Sequence, residues 1–263
     1  MKALTELPAQ VCKQVHTVAF DVDDTVTQHG QLLAQSYAAI WSLRDAGLRL
    51  VAVTGRPLGW AQVFASLWPV DLAIGENGAG WFFRKADTLS NGFFLSESER
   101  KKERDLLEQV KQAVAKQLPD TQLSEDQPLR GCDLAFYIGE KVKLSHAQIE
   151  ELAQTIRSVG AKAVHSTVHM HAFWGEYNKA TGIVAAAKKV WNEKLEQTRN
   201  AWCFIGDSPN DQAAFAYFPH SIGVANVKRF AAELKSKPSY VTEQSHGEGF
   251  AEFAQLFLKK RKS

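Results

Sequence analysis

Short apolar runs recur along the first third of the chain, and each closes on a polar cluster. His16 to Phe20 is apolar and partly β-branched, the composition of a buried strand. Gln31 to Ala46 carries Leu33, Tyr37, Ile40, Trp41 and Leu43 at roughly helical spacing, and Gly47 ends it. Leu48 to Val53 predicts a second strand, Gly59 to Trp68 a second helix stopped by Pro69, and Asp71 to Ile74 a third strand. Strand–helix–strand–helix–strand at this spacing predicts a parallel sheet with crossover helices. The pattern resumes late in the chain. Lys179 to Lys194 is helical and Ala201 to Ile205 is a buried strand. Gln212 to Phe218 is a short helix, Ser221 to Val224 and Tyr240 to Thr242 are short strands, and Gly249 to Lys259 is a closing helix. Met1 to Gln14 shows no clear period.

Between these halves the texture changes. Trp81 to Phe83 and Phe93 to Leu95 are aromatic runs separated by Ser90-Asn91-Gly92, a hairpin-like pattern. Ser96 to Leu118 is long, charged and amphipathic, with a cap at Ser96 or Ser98. Pro119 to Pro128 is polar loop, Cys132 to Ile138 strand-like, Ser145 to Val159 helical, and Ala163 to Trp174 a further strand. The expected fold is therefore α/β, with a Rossmann-like parallel core formed by residues 1–79 and 176–263. Residues 80–175 form an inserted, antiparallel α+β lobe, with Trp81, Phe82 and Phe83 in its core and hinges near Gly78 and Gly175.

At 263 residues the chain holds one large domain or two small ones. A formal net charge of +2 argues against broad binding of nucleic acid or of an anionic membrane surface. The basic tail, Lys259 to Lys262, reads as a solvated, frayed helix end. Cys12, Cys132 and Cys203 lie far apart, with neither zinc spacing nor a disulfide framework. The N-terminus has no apolar stretch of signal-peptide length, and no segment is apolar over a membrane span. The expected compartment is the reducing cytoplasm. Composition leaves the oligomeric state undetermined.

The chemistry begins where the first strand ends. Asp21, Asp23 and Asp24 fall within four positions and are followed by Thr25. Crowded carboxylates repel unless a cation sits among them, and a hard cation with oxygen ligands, Mg²⁺, resolves the repulsion. An acidic turn with a helix cap is the plainer alternative. Further polar groups follow other apolar strands or start a helix: Thr54-Gly55-Arg56, Lys179, and Asp207 to Asp211. Parallel strands align their carboxyl ends, where open α/β sheets bind ligands, so three of these stretches converge by topology. Lys179 reaches in from a helix start. An ion, a lysine, a threonine hydroxyl and backbone N–H groups are what phosphoryl transfer requires. An aspartate can take the phosphoryl group covalently, and a second acid two residues on can move the proton.

These residues resemble the haloacid dehalogenase superfamily of phosphohydrolases: DVDDT at Asp21 to Thr25, VTGR at Val53 to Arg56, Lys179, and GDSPND at Gly206 to Asp211. The insert stands where members with a C2-type cap carry theirs. ENGA at Glu76 to Ala79, GVAN at Gly223 to Asn226, and YVT followed by GEGF resemble the IIB, or Cof-like, branch. That branch includes phosphatases of trehalose, sucrose and mannosylglycerate phosphates, and phosphomannomutases. The resemblance covers the core; over the cap it is positional. It implies Asp21 as nucleophile and metal ligand, and Asp23 as general acid/base that also gives its backbone carbonyl to the metal. It implies Thr54, with Gly55, on the phosphoryl group and Lys179 as the neutralising cation. Asp207 would be the main remaining metal ligand, with Asn210 and Asp211 holding the lysine or metal-bound water. Two positions depart from the family: Asp24 stands where glycine is frequent, and Ala180 follows the lysine where glycine is common.

Arg56, Asn77, Gly78, His169 and His171 are the candidates for substrate contact. His165, His169 and His171 share parity, which on one continuous strand puts all three on one face; a zinc site is the lesser alternative. Trp174 and Tyr177 either stack on a sugar ring or pack the hinge. The expected function is Mg²⁺-dependent hydrolysis of a small phosphorylated metabolite, a sugar phosphate foremost. A sugar phosphomutase and a non-catalytic binding protein on the same scaffold are the alternatives.

Overall fold

Thr17–Asp21 is buried along its whole length, as a strand covered on both faces must be. The computed structural model describes residues 1–263 and places this strand at the middle of a nine-stranded sheet. The order is Lys2–Ala3, Tyr240–Val241, His220–Gly223, Trp202–Gly206, Thr17–Asp21, Arg49–Val53, Leu72–Gly75, Gly80–Lys85, Thr88–Phe93. The first seven strands are parallel, and the last two run antiparallel as a hairpin.

Side-chain alternation splits the core into two layers. Val18 and Phe20 pack with Ile40 and Leu43 of the helix Ala34–Asp45, Phe64 of Leu58–Leu67, and Phe253 and Phe257 of His246–Lys262. Ala19 faces Ile183 and Ala187 of Lys179–Trp191 and Phe215 of Gln212–Tyr217. Register then fixes the site. Phe20 lies opposite both Ala52 and Ile205, and Asp21 opposite Val53, so Asp21, Thr54 and Asp207 emerge together at the carboxyl edge.

A second, three-stranded antiparallel sheet orders Lys162–His165, His169–Phe173 and Leu134–Tyr137. The helices Glu97–Gln117 and His146–Ser158 begin at Ser96 and Ser145, each with a reciprocal side-chain cap. Leu107, Val110, Leu152 and Ile156 of these helices pack on Phe136, Met170 and Ala172. Alternation leaves His169 and His171 on the other face of that sheet. No helix is long and apolar enough to cross a membrane.

Several expectations are corrected. Residues 80–93 pair onto the large sheet rather than joining the insert, and Trp81 packs in the core layer of Ile74 and Ala180. The hairpin turns at Ala86-Asp87, where Ala86 has φ 52°, not at Ser90-Asn91-Gly92. Gly92 is a strand residue opposite Trp81, and a Cβ there would enter the indole. Ala163–Trp174 is two strands joined by a turn, because the Ser166 hydroxyl accepts from the N–H groups of Val168 and His169. Parity therefore fails for His165, which lies opposite Met170 and reaches Glu233 at 3.4 Å. The first fourteen residues are ordered: Leu4, Leu7 and Cys12 are buried, and Lys2–Ala3 adds an edge strand. The basic tail is docked, with Arg261 donating to the carbonyls of Cys12 and Val15 at 2.6 Å and Lys260 to that of Leu7 at 2.6 Å.

Alanine in a helix interior is ordinarily better than glycine by about 0.5–1 kcal/mol. At Gly182 a Cβ would instead run into the backbone of Gly78. Gly182→Ala is expected to lower the urea midpoint; a higher midpoint would contradict this packing.

Candidate active site

Lys179 opens its helix behind Asn178, whose side chain accepts from the Thr181 N–H at 3.0 Å. That cap aims the fully buried Lys179 ammonium at two carboxylates, Asp21 at 2.6 Å and Asp211 at 2.7 Å. The other Asp211 oxygen accepts from the N–H groups of Asp207 (2.9 Å) and Ser208 (3.1 Å). Gly206 is required beside it, since a Cβ would meet the Asp211 carboxylate. Asp207 is fully buried and accepts from Thr25 Oγ1 at 3.4 Å and Asn226 Nδ2 at 2.8 Å. One oxygen each of Asp21, Asp207 and Asp211 lies within 4.8 Å of the others.

This clustering is electrostatically tense. Burial, then the neighbouring Asp211, pushes the Asp21 carboxyl up to about 8 against the pull of Lys179. Asp207 is pushed well above the ordinary carboxyl range by burial and by Asp21 and Asp211. Burial disfavours the Lys179 ammonium, but Asp21 and Asp211 hold it above its usual range. One ammonium thus leaves three carboxylates under-compensated. A hard divalent cation with oxygen ligands fits that donor set.

Asp23 stands outside the three-carboxylate cluster. Val22 packs into the opposite layer, and the Asp23 carboxylate accepts from Arg56 Nε (2.9 Å) and from Thr54 Oγ1 (3.3 Å). Thr54 Oγ1 in turn accepts from the Arg56 N–H at 2.9 Å. Arg56 is buried rather than a surface charge, and its Nη2 reaches Glu140 of the second lobe at 2.9 Å. Asp24 takes φ 55°, a left-handed backbone that accounts for glycine as its usual alternative.

Asn77 (φ 55°) and Gly78 (φ 113°) form the turn below the hairpin. Ser208 Oγ donates to Asn210 Oδ1, and Asn210 Nδ2 donates to Asn77 Oδ1, both at 2.9 Å, tying Asn77 to the site. From the second sheet, His171 Nδ1 meets Asp133 Oδ2 at 2.8 Å. Arg130 Nη1 bridges Asp133 (3.0 Å) and the Gly55 carbonyl (3.0 Å). His169 Nε2 lies 3.5 Å from Glu140. Tyr177 stacks on Phe173 and donates to the Cys132 carbonyl at 3.2 Å, which is hinge packing.

Sequence reasoning missed Arg130, Asp133, Glu140 and Arg229, and gave no role to Thr25, Glu76 or Asn226. Glu76 is buried and its carboxylate accepts from the N–H groups of Leu58, Gly131 and Cys132. Burial, then Asp133, pushes it up to about 7. Arg229 stands 3.7 Å from Asp24 and 3.9 Å from Asp207. Thr25, Glu76 and Asn226 stood inside DVDDT, ENGA and GVAN; the other four lay in no motif.

Residues 18–113 match the model of the haloacid dehalogenase-like hydrolases. The chain is 24% identical over 257 residues to the phosphoglycolate phosphatase of Methanothermobacter thermautotrophicus, covering 93% of this chain and 99% of that one. A solved protein of Thermoplasma acidophilum superposes with a TM-score of 0.70 at 19% identity, over 93% of this chain and 98% of that one. The sucrose-phosphatase of Synechocystis, solved with sucrose and phosphate, superposes at 0.65 and 15% identity over the same shares.

Without metal, the carboxyl of Asp21 holds its proton more tightly folded than unfolded. The Asp21 contribution to metal-free stability is therefore expected to fall as pH rises from 3.8 to about 8. At pH 8, Mg²⁺ at a hundred times its Kd should add about 2.7 kcal/mol of stability. Asp207→Asn should abolish that gain while leaving the metal-free protein at least as stable as wild type. An undiminished Mg²⁺-induced rise in Tm in Asp207→Asn would contradict this assignment.

Proposed function

We propose that the chain is a phosphatase of the haloacid dehalogenase-like hydrolases, in their Cof-like IIB branch, on the strength of the match over residues 18–113 and the likeness to a phosphoglycolate phosphatase. From that premise we propose that it hydrolyses a small phosphomonoester, a sugar phosphate foremost, through an aspartyl-phosphate with Mg²⁺ as cofactor. The observation that carries this is the buried Asp21–Lys179–Asp211 triad beside an Asp23 that belongs to a separate hydrogen-bonded group.

Asp21 attacks phosphorus as the P–O bond to the leaving alcohol breaks, and Asp23 gives that oxygen its proton. Asp23 then takes a proton from water, whose oxygen attacks phosphorus and releases Asp21 and inorganic phosphate. Lys179 neutralises charge on Asp21 and the phosphoryl group, while Thr54 and the Gly55 N–H hold phosphoryl oxygens and Asn210 keeps the loop in place. Asp21, Asp207 and the Asp23 carbonyl would hold Mg²⁺, with Asp211 behind them, and the bound ion supplies positive charge for the carboxylates and the phosphoryl oxygens.

The lobe built on residues 96–175 acts as a lid that excludes bulk water. Between lid and core lies a cavity of about 420 Å³, lined by Asp23, Arg56, Glu140, Lys143, Arg229 and His246 among others. Val168 is its one apolar lining residue, which suits a hydroxyl-rich leaving group better than an apolar one. The phosphoglycolate and sucrose phosphatases it resembles also point to a small phosphorylated metabolite.

Phosphate release from a panel of phosphorylated metabolites tests this. Release should require Mg²⁺, run at one phosphate per substrate consumed, and fall by at least about 1,000-fold in Asp21→Asn. Unchanged turnover in that variant would remove Asp21 as nucleophile. An isomerised product without phosphate release would make the protein a mutase.

A further inference from the structure

Two buried polar atoms over the phosphoryl loop have no partner in the protein. They are His171 Nε2 and Asn77 Nδ2, on residues that are 0% and 3% exposed. Both sit on one flank of Gly55: a Cβ built there would lie 3.0 Å from His171 Nε2 and 3.3 Å from Asn77 Nδ2. Their hydrogen-bonding senses are fixed from behind. The Asp133 carboxylate is an acceptor, so His171 Nδ1 carries the proton and the neutral ring presents Nε2 as a lone pair. Asp133 is itself held by Arg130 Nη1 at 3.0 and 3.2 Å, and Arg130 also grips the Gly55 carbonyl. Burial favours the neutral ring. Asp133 and Arg130 from the preceding loop, Lys179 from its helix and His169 from the same strand are the charged and titratable groups around it. On the other side, Ser208 orients Asn210, Asn210 donates to Asn77 Oδ1, and Asn77 Nδ2 is left as a donor.

An acceptor beside a donor is complementary to a hydroxyl group, which donates to one and accepts from the other. An anionic oxygen would satisfy only Asn77. We propose that His171 Nε2 and Asn77 Nδ2 together read one hydroxyl of the leaving alcohol, so that the enzyme selects polyol phosphates over esters lacking a second hydroxyl. Asp133 and Arg130 are positioning residues for His171. The inference rests on the phosphatase assignment and adds which residues recognise the substrate and with which sense. A site built to bond a hydroxyl discriminates strongly, because an analogue without it leaves the buried groups unpaired.

The test compares kcat/KM of the Mg²⁺-loaded enzyme for glycerol 1-phosphate, propyl phosphate and p-nitrophenyl phosphate. Wild type should prefer glycerol 1-phosphate to propyl phosphate by at least about 100-fold. His171→Phe should collapse that ratio toward one, and His171→Gln, which keeps an acceptor, should restore part of it. In Asp133→Asn, ¹⁵N NMR of the imidazole should show the proton moved from Nδ1 to Nε2, with the ratio lowered although His171 remains. Absence of a preference in wild type, or equal losses on all three esters in His171→Phe, would overturn the proposal. Failure of wild type to release phosphate even from p-nitrophenyl phosphate would overturn the phosphatase assignment, and this inference with it.

Discussion

A lysine ammonium buried between two carboxylates is the constraint on which the rest of this structure depends. Desolvating such a group carries a penalty of several kcal/mol per ion unless opposite charge and hydrogen bonds surround it. Lys179 meets that condition through Asp21 and Asp211, at 2.6 and 2.7 Å. Each partner needs its own support. Asp21 depends on the register of the central strand, and Asp211 on two backbone N–H groups and on the missing side chain of Gly206. Lys179 depends on its Asn178 cap and on the close approach of Gly182 to Gly78. Sheet, turn and helix are therefore locked to one another through a single charged contact.

The two lobes divide the remaining work. The core holds Asp21, Thr54, Lys179 and Asp207, and polar bridges from the inserted lobe reach their surroundings. Arg130 grips the Gly55 carbonyl, Glu76 accepts from the Gly131 and Cys132 N–H groups, and Arg56 joins Asp23 to Glu140. Two of these bridges end on the loop that carries Thr54, Gly55 and Arg56. The inserted lobe is thus tied to that loop by hydrogen bonds and charge.

The parallel core was legible in the sequence because its strands are continuous apolar runs that end on polar turns. Asp21, Thr54 and Asp207 followed from topology alone, since parallel strands share a carboxyl edge. Lys179 was singled out as a helix-start lysine, but its convergence on the site did not follow from strand topology, and the family pattern gave it its role. The hairpin Gly80–Phe93 misled for a physical reason: Gly92 in a polar triplet looks like a turn but serves the packing of Trp81. His165 misled because a three-residue turn, closed by the Ser166 hydroxyl, carries no strong sequence mark. Arg130 and Asp133 were invisible, and Glu76 was only the head of ENGA, because their roles arise between lobes. No spacing rule links Glu76 to Gly131, or Arg130 to Gly55.

The central claim is that Asp21, poised against Lys179, takes the phosphoryl group covalently. The direct measurement is acid-quenched trapping in Asp23→Asn with p-nitrophenyl phosphate, whose leaving group departs without a proton from Asp23, while the group proposed to activate water is gone. The ester would be labelled in its phosphoryl group, and the digested protein sequenced by mass spectrometry. The account predicts a hydroxylamine-labile phosphoryl group on the peptide carrying Asp21, formed within the first turnover. Label on another residue, or a burst of free phosphate from an unlabelled protein, would contradict it.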